Sequence, residues 1–191
     1  MKEDISGQAL DWLHQLQYND EHALALLMET YYVDLYNYAS SFTKDEELVK
    51  DCIQEVFISL WQRRDTAAAI LSPKYYLLRA VKNKVLKSTH QHVRFTGITH
   101  TGREYDFFHE FSIERIIIEK QLSEEKAVRL KKIISSLTKR QQEIIYLKYY
   151  QHLDHSQIAG LMNITPQSVY NLLHETIQKL KTMWHSEFVT H

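Results

Sequence analysis

Hydrophobic side chains between residues 20 and 90 recur at steps of three and four, which is the period of an amphipathic helix. Two such stretches are Leu24, Leu27, Tyr31, Leu35, Tyr38 and Phe42, and then Val49, Ile53, Val56, Phe57 and Leu60. A third helix is predicted to begin at Ser72-Pro73, because Ser can cap a helix and Pro suits its first turn. Its apolar face contains Leu77, Val81 and Val85. The pattern predicts a compact three-helix domain that ends near residue 90.

The C-terminal third contains three signals for helix starts. Thr138-Lys139-Arg140-Gln141 and Asp154-His155-Ser156-Gln157 match capping boxes, and Thr165-Pro166 is a cap followed by Pro. Asn163 tolerates the left-handed conformation and lies where the chain must turn before Thr165. This spacing is typical of a helix-turn-helix, with Ala159 at the close helix crossing and with apolar anchors at Ile158, Met162, Ile164, Val169 and Leu172. We favour DNA binding, although a purely structural helical hairpin has the same spacing.

Composition agrees with an all-α fold. The 191 residues include only four Gly and two Pro, too few for a turn-rich β-sandwich. Irregular sequence with Gly97 and Gly102 separates the two helical parts. We therefore predict two small helical domains, at residues 1–92 and 126–191, joined by a linker over residues 93–125.

Charge is segregated along the chain although its net value is only −1. Residues 1–65 carry 13 acidic and 5 basic side chains, whereas residues 66–103 carry seven basic side chains and no acidic ones. Residues 104–125 have seven acids and two bases, and residues 126–191 have four acids and nine bases. Two basic segments separated by an acidic one suit a protein that contacts a polyanion at two places. The same acidic and basic segments would also occur in a protein without such a ligand, as charged faces exposed to solvent.

No catalytic or metal-binding motif is evident. The single cysteine, Cys52, cannot form an intramolecular disulfide and is predicted to be a small core residue. His90-Gln91-His92 and His152-Leu153-Asp154-His155 are the closest histidine clusters, but their spacing fixes no third ligand. The chain has no apolar signal region and no run long enough to span a membrane. We expect a cytoplasmic, non-enzymatic protein with no cofactor, no metal and no small-molecule substrate.

A family resemblance rests on two segments. Asp51-Cys52-Ile53-Gln54-Glu55-Val56-Phe57-Ile58-Ser59-Leu60-Trp61 resembles the core-binding helix of sigma-70 family factors. Tyr76-Leu77-Leu78-Arg79-Ala80-Val81-Lys82-Asn83-Lys84 resembles the promoter-melting helix of the same domain. Together with the helix-turn-helix, they make the chain similar to an extracytoplasmic-function sigma factor. The resemblance implies core RNA polymerase and promoter DNA as partners, and it allows an anti-sigma factor as a third.

The first segment is predicted to contact the polymerase. Helical spacing leaves Asp51, Gln54, Ile58 and Trp61 as an outward stripe, and an exposed Trp is a candidate anchor for a partner helix. The resemblance implies that this partner is the coiled coil on the clamp of the large polymerase subunit, and it adds Glu55 to the contact. From the residues alone, Trp61 could instead fold into its own core.

The second segment and its loop are predicted to hold melted single-stranded DNA. Lys82, Lys84, Lys87 and Arg94 can follow phosphates, while Tyr75 and Tyr76 offer faces for an unpaired base. We expect at least one of these Tyr to be core. The resemblance adds Arg79 to these contacts. It also implies that a base flipped from the promoter is held by Asn83 together with the loop from Gln62 to Leu71.

The second helix of the helix-turn-helix is predicted to enter the major groove of duplex DNA. The residues that packing does not require are Gln167, Ser168, Tyr170, Asn171, His174 and Glu175. Gln and Asn can pair with adenine edges, and the helix start favours a phosphate near Thr165. Several relatives have Arg or Lys where this chain has Tyr170, Leu172 and Glu175. We therefore predict weak duplex contact, supported by Lys139, Arg140 and Lys148, which leaves room for an accessory DNA-targeting protein.

Two other functions remain open at this point. A one-component transcription regulator would use only the helix-turn-helix and would bind duplex DNA without polymerase. A helical adaptor without DNA binding would show no salt-dependent DNA affinity.

Overall fold

The structure is a computed structural model that describes residues 2–96 and 124–186. All regular elements in these two ranges are helical, which confirms the predicted all-α class. The chain divides into two compact units, residues 1–105 and 106–191. Most of the predicted linker, including Gly97 and Gly102, lies outside the described residues.

The first unit contains four α-helices and a short 3₁₀ helix. They are α1 (Lys2–Leu16), α2 (Glu21–Ala39), α3 (Glu46–Gln62), the 3₁₀ helix (Arg64–Ala69) and α4 (Pro73–Thr96). The helices α2, α3 and α4 pack against one another, as the periodicity predicted. The start of α4 at Pro73 is confirmed, and α4 continues past residue 92, where the sequence places the start of the linker.

The helix α1 is an addition to the three helices predicted for the first domain. It buries Ala9, Leu13 and Leu16 and packs against α2, α4 and the 3₁₀ helix. Within residues 5–16, whose side chains the structure describes, buried apolar positions are sparse and give a weak periodic signal, which explains why no helix was predicted here.

Side-chain caps fix where α2 and α3 begin. Asp20 Oδ1 accepts from the backbone N–H groups of His22 and Ala23, and Asp45 Oδ1 accepts from that of Leu48 at 3.0 Å. Such caps satisfy amides that have no partner inside the helix. Because the caps fix the first residue of each helix, they help to determine which residues of α2 and α3 face outward.

The second unit contains α5 (Glu124–Ser135), α6 (Lys139–Ile145), a single π-helical turn (Tyr146–Tyr150), α7 (His155–Met162) and α8 (Pro166–Ser186). Both predicted capping boxes are present, at Thr138 with Gln141 and at Asp154 with Gln157. Asn163 has the left-handed conformation (φ 52°, ψ 48°), and its N–H donates to the carbonyl of Ala159. The helix-turn-helix that the spacing predicted is therefore formed by α7 and α8.

One predicted anchor of this unit is wrong. Val169 is fully buried as expected, but the next buried positions of α8 are Leu173 and Thr176, whereas Leu172 is only half-buried. The step of four from Val169 to Leu173, followed by three to Thr176, follows the inner face of the helix. The step of three to Leu172 leads away from it.

No helix within residues 2–96 and 124–186 is long and apolar enough to cross a membrane. In the same ranges, no three His, Cys, Asp or Glu side chains are grouped closely enough to hold a metal ion.

Candidate partner and nucleic-acid interfaces

The outer face of α3 carries the stripe predicted to bind the polymerase. Its inner face buries Val49, Cys52, Ile53, Val56, Phe57 and Leu60. Asp51, Gln54, Glu55 and Ile58 are exposed on the other side, and the Ile58 side chain retains 46% of its accessible surface. An exposed β-branched side chain between polar neighbours is suited to packing against a partner helix.

Trp61 lies at the C-terminal end of this stripe and is half-buried. The guanidinium carbon of Arg64 lies 5.0 Å from the centre of its ring, within range of a cation–π contact. Arg64 Nη1 also donates to the carbonyl oxygen of Trp61 at 3.1 Å. Trp61 is thus not a core residue. Its ring contacts a cation from the following loop and keeps part of its surface open to a partner.

Glu55 and Lys84 form an ion pair between α3 and α4. The sequence assigns the first residue to polymerase contact and the second to single-stranded DNA. Their side chains keep 52% and 40% of their accessible surface, so the pair is well hydrated and contributes little to stability. The sequence did not indicate this contact, because its partners are 29 positions apart on different helices.

Lys82 does not occupy the position predicted for a phosphate ligand. It is 3% exposed, and its Nζ lies 5.2 Å from the centre of the Phe42 ring. The periodicity of α4 contains the signal for this burial, since position 82 follows the buried Leu78 by four residues and precedes the buried Val85 by three. The prediction that Lys82 binds DNA phosphate is therefore corrected: this cation belongs to the core of the first unit.

The other predicted single-strand contacts lie on the accessible side of α4. Arg79, Asn83 and Lys87 are exposed. Tyr75 and Tyr76 are both half-buried, so neither is the core residue that one of them was expected to be. The Tyr75 hydroxyl accepts from Arg79 Nη1 at 3.4 Å, which keeps an aromatic face and a cation together. Such a pair suits an unpaired nucleotide. Arg94 lies beyond the described side chains.

The loop predicted to hold a flipped base connects α3 to α4. It contains the 3₁₀ helix Arg64–Ala69, in which Ala67 is buried, and it ends near Leu71, which is 89% exposed. Two residues of the α1–α2 turn, Gln17 and Asn19, form hydrogen bonds to this loop. Sequence reasoning missed both, because it predicted no helix before residue 20.

Cys52 lies on the buried face of α3, as predicted. Its Sγ lies 3.9 Å from the hydroxyl of Ser88 on α4. Burial raises the pKa of the Cys52 thiol above its ordinary value, and the nearby Ser88 hydroxyl partly opposes this shift. The thiol therefore remains protonated at neutral pH and acts as a packing group.

The start of α8 presents the side chains predicted to contact duplex DNA. Gln167, Ser168, Tyr170, Asn171 and His174 are exposed. Gln167 Nε2 donates to Asn171 Oδ1 at 3.0 Å, so these two amides are paired with each other. Thr165 Oγ1 caps α8 by accepting from the N–H of Ser168 at 3.1 Å. Each amide keeps further donor and acceptor groups beside this mutual hydrogen bond, so both remain able to bind a base edge.

Aromatic rings follow the same face of α8. Tyr170 is 56% exposed, and its ring centre lies 6.4 Å from that of His174 and 6.5 Å from that of His155 on α7. The sequence placed Tyr170 and His174 on this surface but did not include His155. The face of the helix-turn-helix predicted to meet DNA therefore carries aromatic rings.

Cations flank this surface. Lys139 and Arg140 are exposed at the start of α6, and the half-buried Lys148 donates to the carbonyl of Leu153 at 3.5 Å. Glu175 is exposed on α8. Lys179, one turn further on, donates to the carbonyl of Ser136 at 3.4 Å. The Lys179 ammonium thus contacts the α5–α6 turn.

Comparison with known proteins assigns the family. Residues 27–94 match the family model of Sigma-70 region 2, and residues 127–180 match that of Sigma-70, region 4. No curated protein sequence matches the chain at a significant level. Among solved structures, the fold is similar to that of CnrH in complex with the cytosolic domain of CnrY, with a TM-score of 0.55 and 16% identity over 94% of this chain and 98% of that one.

A second similar structure is the sigma factor RpoE in complex with the anti-sigma factor NepR from Bartonella quintana. Its TM-score is 0.53, with 14% identity over 86% of this chain and 96% of that one. The chain belongs to the sigma-70 family, as the resemblance of its sequence implied. Sigma factors are non-enzymatic transcription initiation factors, and their partners are core RNA polymerase and promoter DNA.

Proposed function

We propose that this sigma factor binds core RNA polymerase through the outer face of α3, holds melted promoter DNA with α4 and the loop before it, and makes only weak contact with the upstream promoter element through α8. The observation that carries the proposal is the pair of side chains Ile58 and Trp61. Both keep apolar surface on the outside of α3 while the inner face is fully packed. In this family, such a face suits the coiled coil on the clamp of the large polymerase subunit.

The polar members of the stripe would give this contact its orientation. Asp51, Gln54 and Glu55 surround Ile58 with two carboxylates and one amide. A clamp helix that presents basic and apolar side chains would complement this pattern. Removal of water from the central apolar residues would then supply most of the binding free energy, with the charged rim contributing mainly to orientation and association rate.

The melted strand would lie along the exposed side of α4. Tyr75 and Arg79 would contact a base and a phosphate, and Asn83 would lie close to the base held by the loop. Lys87 would follow the backbone, as would Lys84 once it leaves Glu55. Stacking contributes roughly 1–3 kcal/mol per base, which offsets only part of the cost of opening several base pairs. Core polymerase would supply the rest.

Weak upstream contact follows from the surface of α8. Tyr170 and Glu175 are exposed on this helix at positions where a cation would bind phosphate. Lys139 and Arg140 would carry most of the phosphate contact. Promoter choice would then depend on the melted element or on an accessory DNA-targeting protein.

An inhibitory partner is part of the same proposal. The solved relatives are complexes, and that of RpoE contains an anti-sigma factor. A protein that covers Ile58 and Trp61 would prevent holoenzyme formation by direct competition. Its addition should lower the fraction of this chain bound to core polymerase, and excess core polymerase should restore that fraction.

Reconstitution with core polymerase tests the proposal. Ile58→Ala and Trp61→Ala should each weaken holoenzyme formation by tenfold or more, since truncation of a buried interface anchor typically costs about 2 kcal/mol. Val33→Ala is the matched control, because Val33 is an exposed branched residue on α2 with nearly the same accessibility, 43% against 46% for Ile58. Equal effects of the three substitutions, or loss of folding in Trp61→Ala, would contradict the assignment.

The two other functions make different predictions in the same experiment. A one-component regulator would bind promoter duplex equally well with and without polymerase. A helical adaptor would form no complex whose DNA affinity falls with salt. A stable holoenzyme that opens promoter DNA excludes both.

A further inference from the structure

The turn between α1 and α2 is hydrogen-bonded to the loop between α3 and α4. Gln17 Nε2 donates to the backbone carbonyl of Asp65 at 2.9 Å. Asn19 Oδ1 accepts from Arg64 Nε at 2.6 Å. Both bonds reach the 3₁₀ helix Arg64–Ala69. A segment more than 40 positions earlier in the chain therefore holds the start of this loop.

The turn itself is well fixed by its own backbone. Tyr18 N–H donates to the carbonyl of Gln15 and Asn19 N–H to that of Leu16, at 2.9 and 3.0 Å. Asn19 has a left-handed φ of 61°, which Asn tolerates better than most residues. The preceding turn of α1 is anchored by the buried Leu13 and Leu16. Because α1 also packs against the 3₁₀ helix, the turn offers a fixed point to the loop.

Arg64 connects three parts of the first unit. Its Nε donates to Asn19, its Nη1 donates to the carbonyl of Trp61, and its guanidinium covers the Trp61 ring at 5.0 Å. The side chain thus spans from the α1–α2 turn to the end of the polymerase-binding stripe. It therefore ties the end of α3 and the start of the loop to the α1–α2 turn.

We propose that Gln17 and Asn19 are positioning residues for the loop that receives the flipped promoter base. The inference rests on the proposed function, because it takes the Gln62–Leu71 loop as the base-binding segment. Both residues precede residue 27, where the match to Sigma-70 region 2 begins. Gln17 holds the backbone of Asp65 and Asn19 holds the side chain of Arg64, so the loop has less conformational freedom to lose when an unpaired base binds.

The expected consequence is a change in base discrimination. A loop held in one conformation excludes the wrong bases by their shape, whereas a loop released from the turn can adapt to any of them. Loss of one bond should reduce the preference for the best base over the other three by about fivefold, the usual net effect of a single hydrogen bond. Affinity for core polymerase should remain as in the wild type.

Substitutions at Asn19 separate positioning from folding. Asn19→Gly removes the acceptor for Arg64 while favouring the left-handed backbone, so the turn should persist. Asn19→Asp keeps an acceptor at the same place and should retain the wild-type preference. Gln17→Met removes the donor to Asp65 at nearly constant side-chain length. Tyr18→Ala is the control, since Tyr18 is 84% exposed in the same turn and its side chain is absent from both hydrogen bonds.

The measurement uses reconstituted holoenzyme and fork-junction promoter DNA that carries each of the four bases at every position of the melted element. The proposal predicts reduced discrimination for Asn19→Gly and Gln17→Met, with wild-type discrimination for Asn19→Asp and Tyr18→Ala. Arg64→Ala and Asn19→Gly both remove the bond between these residues, so their effects on base discrimination should be less than additive, although Arg64→Ala also removes the contacts with Trp61.

Two results would overturn the inference. In one, Asn19→Gly discriminates as the wild type does. In the other, all four bases lose affinity equally and the melting temperature falls, which indicates a structural role only. Failure of the proposed function is a separate result: the wild-type holoenzyme would then show no base preference at any position of the melted element.

Discussion

The burial of Lys82 predicts that its removal damages the fold and leaves phosphate contact unchanged. Lys82→Ala deletes three methylenes and the ammonium from a site that is 3% exposed. At about 0.8 kcal/mol per buried methylene, the lost burial amounts to about 2 kcal/mol. Loss of the contact with the Phe42 ring adds roughly 1 kcal/mol to this destabilisation. The variant no longer buries an ammonium group, and the desolvation cost that it avoids offsets part of the total. We expect a net loss of about 1–2 kcal/mol in the free energy of unfolding.

Calorimetry on the full chain measures this effect. For a unit of this size, such a loss lowers the melting temperature by roughly 5–10 °C. Lys82→Met retains most of the buried stem, so its melting temperature should lie closer to that of the wild type. The same two variants should also be assayed as holoenzymes for binding to fork-junction DNA at several salt concentrations.

Lys87→Met is the matched control for the DNA assay, because Lys87 is exposed on the same helix. Loss of one single-strand phosphate contact makes the slope of log affinity against log salt shallower by about 0.7. We expect that change for Lys87→Met and no change for Lys82→Met. A contrary result would be a Lys82→Met variant that keeps the wild-type melting temperature while its slope of log affinity against log salt becomes shallower by about 0.7. Lys82 would then bind phosphate, and the reasoning from its burial would be wrong.

Three further predictions concern single positions. Asn83→Ala should leave holoenzyme formation intact but reduce open complexes in permanganate footprinting, and an unchanged footprint would remove Asn83 from promoter melting. Glu175→Arg should tighten binding to duplexes of many sequences and steepen the salt slope by about 0.9, as one new phosphate contact would, whereas an unchanged slope would place residue 175 away from DNA. The raised pKa of Cys52 means that the folded state holds the thiol proton more tightly, so stability is full below the unfolded-state pKa and declines as pH rises through the folded value. Alkylation of the folded chain should accordingly be slower than that of the urea-unfolded chain, and equal rates would contradict the burial of the thiol.

Features encoded in a few neighbouring residues were predictable from the sequence. The capping boxes at Thr138 and Asp154 and the turn at Asn163 depend on contacts within four or five positions, so their spacing specifies them. The buried face of α3 was predictable for the same reason, because one helical period determines it.

Features that depend on contacts between distant segments were not predictable. The pairing of Glu55 with Lys84 and the bond between Asn19 and Arg64 arise only when the helices pack, and no local pattern marks them. Lys82 is an intermediate case. Its position in the period indicated burial, but its charge directed the prediction to the surface, and the long aliphatic stem with the Phe42 ring explains why burial is tolerated.

The ion pair between Glu55 and Lys84 makes the two proposed ligands of the first unit thermodynamically linked. If polymerase takes up the carboxylate, the ammonium loses its partner and becomes available to a phosphate. Linkage is reciprocal, so melted DNA that takes up Lys84 would strengthen polymerase binding by the same factor. Because both side chains are about half exposed, the coupling is limited to a few-fold. A sigma factor with this arrangement would hold core polymerase slightly more tightly on an open promoter than in free solution, and it would be released more readily once the melted strand leaves α4.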